Sequence, residues 1–171
     1  SNQLPTDYQS FIHKSRYARW QEGTGNRESW SETVTRFMDN IVIPKTGDDT
    51  YVRDLEQAIL SLDVMPSMRS LMTAGPAASR DNTSMYNCSY LAVNNIKAFD
   101  QAMFILLCGT GVGFSVERQY VSKLPEVPEK LFKSDTTIVV KDSKEGWAKS
   151  LRQLIALLYS GEIPQWDVSK V

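Results

Sequence analysis

The chain has 171 residues, 42% of them hydrophobic and 23% charged, which is enough to bury one ordinary core, or one core and part of another. Lys and Arg number 19 against 20 Asp and Glu, so no overall field draws the chain to nucleic acid or to an anionic membrane, and polyanion binding has to be local. Two cysteines are too few for a disulfide framework, no basic-then-apolar leader opens the chain, and the apolar run 102–108 is far short of a membrane span, so a globular protein of the reducing cytoplasm is expected.

Tyr8, Phe11, Ile12, Ser15 and Arg19 recur at helical spacing behind Thr6 and Asp7, predicting a helix over residues 7–20 that Gly23 and Gly25 end. Trp30, Val34, Phe37, Met38 and Ile41 predict a second helix over 29–40, and Leu55, Ile59 and Leu62 a third over 52–62. From residue 67 to 87 Gly, Pro, Asn, Ser and Thr crowd the chain without a period, predicting a long irregular segment of the kind that is often functional. Residues 88–93 read as a strand, 96–107 as an apolar helix, 109–113 as a glycine turn and 114–117 as a strand. Pro125 and Pro128 mark a linker, β-branched residues 136–140 a strand, and Trp147, Leu151, Leu154, Ile155 and Leu158 an amphipathic helix ending near Gly161. The pattern is α/β after a helical beginning, divided as a helical region over 1–64 and a second region over 65–171.

Few residues carry chemistry by spacing alone. Cys88, in Asn87-Cys-Ser-Tyr90, is either a buried core thiol or a thiol at a strand end within reach of a ligand. Cys108 sits among aliphatics at a helix end and reads as packing. Gly109-Thr-Gly-Val-Gly113 is either a structural turn or a place where backbone N–H groups approach a phosphate; it lacks the P-loop ending and runs helix-to-strand, the reverse of a dinucleotide fingerprint. His13 reads as a surface or capping residue, and Asp142 and Ser143 as the cap of the last helix. No cysteine and histidine spacing suggests a metal site.

Taken in order, residues 65–76 (Met65 to Pro76), Asn87-Cys-Ser-Tyr90, residues 98–104 and Cys108-Gly-Thr-Gly-Val-Gly-Phe-Ser-Val-Glu117 form a series that resembles the start of the catalytic barrel in adenosylcobalamin-dependent (class II, monomeric-type) ribonucleoside-triphosphate reductases. The resemblance continues through residues 119–125, 134–140, 142–147 and 167–171. It implies an α/β fold in which a helical N-terminal region is followed by the first part of a ten-stranded α/β barrel, with a helical insertion near 134–165. Cys88 then matches one of the two cysteines that reduce the ribose and become a disulfide. Ser67, Ser70, Asn87, Gly111 and Gly113 match the regions lining the substrate's ribose and phosphates, and Asn94, Asn95 and Arg118 are implied contributors to a deoxynucleotide effector site.

The resemblance also implies what lies beyond this sequence: the cysteine that carries the thiyl radical, the partner of Cys88, most of the surface for adenosylcobalamin, and the cysteine pair that a thioredoxin-type reductant restores. The chain is thus expected to be an N-terminal piece, inactive until joined to the remainder of the reductase. Two alternatives stand beside it, a stand-alone nucleotide-binding or interaction module, and a reductase with a different radical generator. Neither nucleic acid nor membrane is an expected partner.

Overall fold

The computed structural model describes residues 4–171, so residues 1–3, where the absence of a leader was read, lie outside it. The chain forms two compact units, the first ending at Tyr86 and the second spanning Asn87–Val171.

In the first unit a capping box at Thr6 opens α1 (Asp7–Ile12), the Thr6 hydroxyl accepting the Gln9 N–H while the Gln9 side chain takes the Thr6 N–H. The helix then widens into a π turn at His13–Tyr17 and stops, short of the predicted end. Residues beyond it are drawn into an antiparallel ladder of β1 (Trp20–Gln21) with β2 (Asn26–Arg27). Lys14 holds that ladder by donating to the carbonyls of Arg27 (3.0 Å) and Glu28 (2.7 Å). The turn between the strands uses Gly25 at φ +64.

A second capping box, Ser29 with Glu32, opens α2 (Trp30–Phe37), and Asp48 caps α3 (Asp49–Leu60). Their apolar stripes form the core expected from spacing, with Trp30, Val34, Phe37, Met38 and Ile59 buried. The segment predicted to be irregular is instead largely helical: α4 (Met68–Thr73), α5 (Pro76–Arg80) and a 3₁₀ turn at Asn82–Met85. Leu71 and Ala74, three apart, close the core from α4 and its C-cap. These pieces are too short for a period to emerge, and Gly75 at φ +114 separates two of them. Residues 65–86, which the sequence reading grouped with the second region, belong here to the first unit.

A buried polar cluster ties this unit together. Glu28 accepts from Arg36 Nε (2.7 Å) and Nη2 (3.0 Å), from the Thr33 hydroxyl (2.9 Å) and from the Arg19 N–H (3.1 Å). Arg36 spends Nη1 on the carbonyls of Leu71 and Ala74, both at 2.8 Å. His13, expected at the surface or a cap, is buried edge-on to Trp30, with Nε2 2.8 Å from the Thr33 hydroxyl. Thr33 already donates to Glu28, so it accepts from His13, whose Nε2 therefore carries a proton. His13 opens the π turn that follows α1.

The second unit is two successive strand–helix–strand segments. β3 (Cys88–Ala92), α6 (Lys97–Leu107) and β4 (Gly111–Ser115) form the first, with β3 parallel to β4. The short α7 (Arg118–Val121) leads through the proline linker to β5 (Phe132–Val139), α8 (Lys144–Tyr159) and β6 (Glu162–Asp167), with β5 parallel to β6. Parallel neighbours need a crossover of helix length, which α6 and α8 supply. Ser143 caps α8 as expected, its hydroxyl accepting the Gly146 N–H at 2.9 Å. Residues 134–165, expected to include a helical insertion, therefore alternate strand, helix and strand. Arg152 on α8 grips Asp100 on α6 through Nε (3.0 Å) and Nη2 (2.7 Å).

Helix and strand alternate as the sequence predicts, in three two-stranded pairs, and no closed sheet forms among the described residues. None of their helices is long and apolar enough to cross a membrane.

The buried cluster sets a pH dependence. Burial lowers the pKa of His13, and the charges of Lys14 and Arg36 add to this against the opposing pull of Glu28. Burial pushes the Glu28 carboxyl up, but hydrogen bonds from Arg36, the Arg19 N–H and Thr33 outweigh it and hold it below the ordinary carboxylate range. Both groups titrate lower in the folded chain than in the unfolded one, so the unfolded state gains protons first on acidification and stability falls. The His13 contribution is whole above its ordinary value of 6.5 and is lost as pH falls below it; the Glu28 contribution is lost below 4.5. The urea midpoint is expected to drop in two stages on acidification, and His13→Gln is expected to abolish only the first; an unchanged profile in that variant contradicts the assignment.

Candidate active site

Cys88 is the first residue of β3, and the two-residue period of a strand puts it on one face with Tyr90 while Ser89 and Leu91 take the other. Cys88 is exposed and is therefore not a buried core thiol. Across the parallel ladder Gly111 stands opposite Cys88 and Gly113 opposite Tyr90, so the floor beside the thiol carries no side chains. The ladder is pinned at this end by the Gly111 N–H donating to the Asn87 carbonyl (2.9 Å) and the Ser89 hydroxyl donating to the Gly111 carbonyl (3.0 Å).

The glycine segment differs from the expected turn. Gly111 and Gly113 lie within β4, and only Gly109 of the three has φ in the left-handed region, at +85. Pairing with β3 extends the backbone three residues earlier than the side-chain pattern suggests. The Gly111 N–H is therefore engaged inside the sheet, and what the glycines offer is open space.

The remaining candidate residues fall into separate places. Ser67 and Ser70 are in the first unit, where the Ser67 hydroxyl caps α4 by accepting the Ser70 N–H (3.1 Å) and donates to the Ser70 hydroxyl (2.8 Å). Asn94 and Asn95 follow β3; the Asn95 amide donates to Asn94 Oδ1 (2.7 Å) and its Oδ1 accepts the Lys97 N–H (2.9 Å), starting α6. Arg118 is exposed at the start of α7, just past β4. Because β3 and β4 are parallel, Asn94, Asn95 and Arg118 follow the strands' C-terminal ends, while Cys88, Asn87 and Gly111 lie at the opposite end. Cys108 is buried at the C-cap of α6, with Lys144 Nζ 3.8 Å from its sulfur, in keeping with a packing role. Among the described residues no group of three or more His, Cys, Asp or Glu could hold a metal ion.

Sequence reasoning passed over Tyr90 and Tyr120. Tyr90 is 63% exposed beside Cys88, and its phenol raises the pKa of the Tyr120 hydroxyl by proximity and by a hydrogen bond between the two. The Cys-x-Tyr alternation within a predicted strand was the available signal for Tyr90. Tyr120 had none, because its approach depends on how α7 turns back.

Iodoacetamide is expected to label Cys88 in the native chain well before Cys108, since alkylation needs an accessible thiolate. Peptide mapping by mass spectrometry reads the order, and equal rates would contradict the exposure of Cys88.

No family model matches the chain. It is 30% identical over 173 aligned positions to the adenosylcobalamin-dependent ribonucleoside-triphosphate reductase of Lactobacillus delbrueckii subsp. bulgaricus, covering 82% of this chain and 23% of that protein. Similar proteins of the same description from Lactobacillus leichmannii and Levilactobacillus brevis are 29% and 28% identical, over 82% and 81% of this chain and 23% of each relative. The fold matches a crystal structure of a B12-dependent (class II) ribonucleotide reductase with a TM-score of 0.78 at 20% identity, over 95% of this chain and 32% of that one. The chain thus spans about a quarter of the length of its curated relatives. In sequence the chain is similar to adenosylcobalamin-dependent ribonucleoside-triphosphate reductases, and in fold to a class II ribonucleotide reductase, over a part of each rather than the whole.

Proposed function

We propose that this chain is the piece of a ribonucleoside-triphosphate reductase that brings one of the two reducing thiols to the ribose. The observation that carries the reading is Cys88, exposed at the end of a parallel strand over a floor that Gly111 and Gly113 leave bare. In the reaction the C2′–O bond breaks and two thiols give up two hydrogens: one ends on C2′, the other leaves with the hydroxyl as water, and the sulfurs join as a disulfide. Cys88 is one of these thiols, and its partner belongs to the remainder of the enzyme. A thioredoxin-type reductant then returns the disulfide to thiols by exchange.

Adenosylcobalamin, the family's cofactor, supplies the radical that starts such chemistry. The described residues offer no free imidazole as an axial ligand to its cobalt. The single imidazole, His13, is buried against Trp30 and committed to Thr33. The cofactor is accordingly assigned mainly to the part of the enzyme outside this chain.

Each strand of the second unit has one partner, and large apolar side chains remain exposed on them: Phe114 at 64%, Phe132 at 68% and Trp166 at 64%. Unpaired edges and apolar surface of this kind suit further strands, which supports completion of the ten-stranded α/β barrel by the rest of the reductase. Within that enzyme Ser67, Ser70, Asn87, Gly111 and Gly113 are assigned to the ribonucleoside triphosphate, and Asn94, Asn95 and Arg118 to a deoxynucleotide effector.

The test is reconstitution, with this chain joined to the remainder of a related reductase and deoxynucleotide formation measured. Cys88→Ser is expected to reduce turnover to background, whereas Cys108→Ser is expected to retain it. A Cys88→Ser enzyme that still turns over would overturn the proposal. Saturable nucleotide binding by the isolated chain would instead favour a stand-alone binding module.

A further inference from the structure

The β3–β4 face holds two features that the thiol's chemistry leaves unexplained. The first is the pair of glycines. Neither Gly111 nor Gly113 has a φ that demands glycine. A Cβ at Gly111 would lie 3.5 Å from the Asn87 carbonyl oxygen, and one at Gly113 would lie 3.7 Å from the Ser89 carbonyl oxygen and 4.0 Å from Tyr90 Cδ2, all ordinary contacts. Glycine weakens a strand interior and often marks a close approach by a ligand or another backbone. Two glycines in a five-residue strand, both facing the thiol's side and neither needed by the strand pair, therefore point to an occupant from outside it.

The second feature is the exposed tyrosine beside the thiol. Tyr90 is 63% exposed and shares the strand face of Cys88. The ring edge lies close to the space above Gly113. Cys88 and Tyr90 are two residues apart on one face, which is about 6.6 Å along a strand. In a nucleotide, C2′ is bonded to the carbon that bears the base, so a base belongs about this far from a thiol acting at C2′. A flat ring accepts the face of any base.

We infer that Tyr90 stacks on the nucleobase of the ribonucleotide whose ribose meets Cys88. The inference rests on the reading of Cys88 as the substrate-facing thiol and names the part of the substrate that the bare floor admits. Because stacking is tolerant of base identity, Tyr90 serves binding in common rather than choice among bases.

The experiment uses the reconstituted reductase with ATP, GTP, CTP and UTP. Tyr90→Ala is expected to raise KM for all four by roughly tenfold, the range of a lost base–aromatic stack, while kcat stays within about twofold, the pattern of lost uniform binding. Tyr90→Leu, which keeps an apolar side chain but no flat ring, is expected to raise KM in the same direction, and it reports even if Tyr90→Ala does not fold. An unchanged KM in Tyr90→Ala, or a fall in kcat alone, overturns the inference and means that the face packs against another segment of the protein. Retained activity in Cys88→Ser would remove the underlying reading as well, whereas an inactive Cys88→Ser with an unchanged KM in Tyr90→Ala would remove the inference alone.

Discussion

The parallel ladder between β3 and β4 positions everything that bears on chemistry in the second unit. Its register sets Cys88 against Gly111 and Tyr90 against Gly113, and the period of two then faces both side chains to the open side. A slip of one residue would place Val112 opposite Cys88 and fill the floor. Parallel pairing in turn requires α6, whose length carries the chain back to begin β4 beside β3. Cys108 belongs to the close of that crossover, which explains why one cysteine is buried and the other free to react.

The first unit is organised around a charge instead. Glu28 sits 5% exposed and is tolerable only because Arg36, Thr33 and the Arg19 N–H satisfy it. Arg36 extends the cluster to the carbonyls of Leu71 and Ala74, so the ion pair also fixes α4 and, through Ser67 at its cap, a segment assigned to substrate. Breaking one member would leave a buried charge without compensation, which makes the cluster a hub rather than an ornament.

Much of this was legible in the sequence where one period ran for three turns or more. The stripes of α2, α3 and α8 and the β-branched run of β5 announce themselves, and the caps at Thr6 and Ser143 lie where a capping residue precedes the stripe. Three things were not legible. α4 and α5 are too short to show a period, and glycine and proline between them read as disorder of pattern. The burial of His13 lies in its contacts with Thr33 and Trp30, which no spacing within the first helix encodes. Gly111 and Gly113 look like a turn because glycines usually are, and only pairing with β3 turns them into strand. Cys88 was picked out by its neighbours and by resemblance, while its exposure and the bare floor across from it required the fold.

The central claim is that Cys88 gives up its hydrogen and becomes half of a disulfide. It is tested most directly by a single turnover of the reconstituted enzyme without external reductant, followed by trapping of free thiols and peptide mapping. The account predicts a disulfide joining the Cys88 peptide to a cysteine from the remainder of the enzyme, formed in step with deoxynucleotide. Product formed while Cys88 stays fully alkylatable would contradict it.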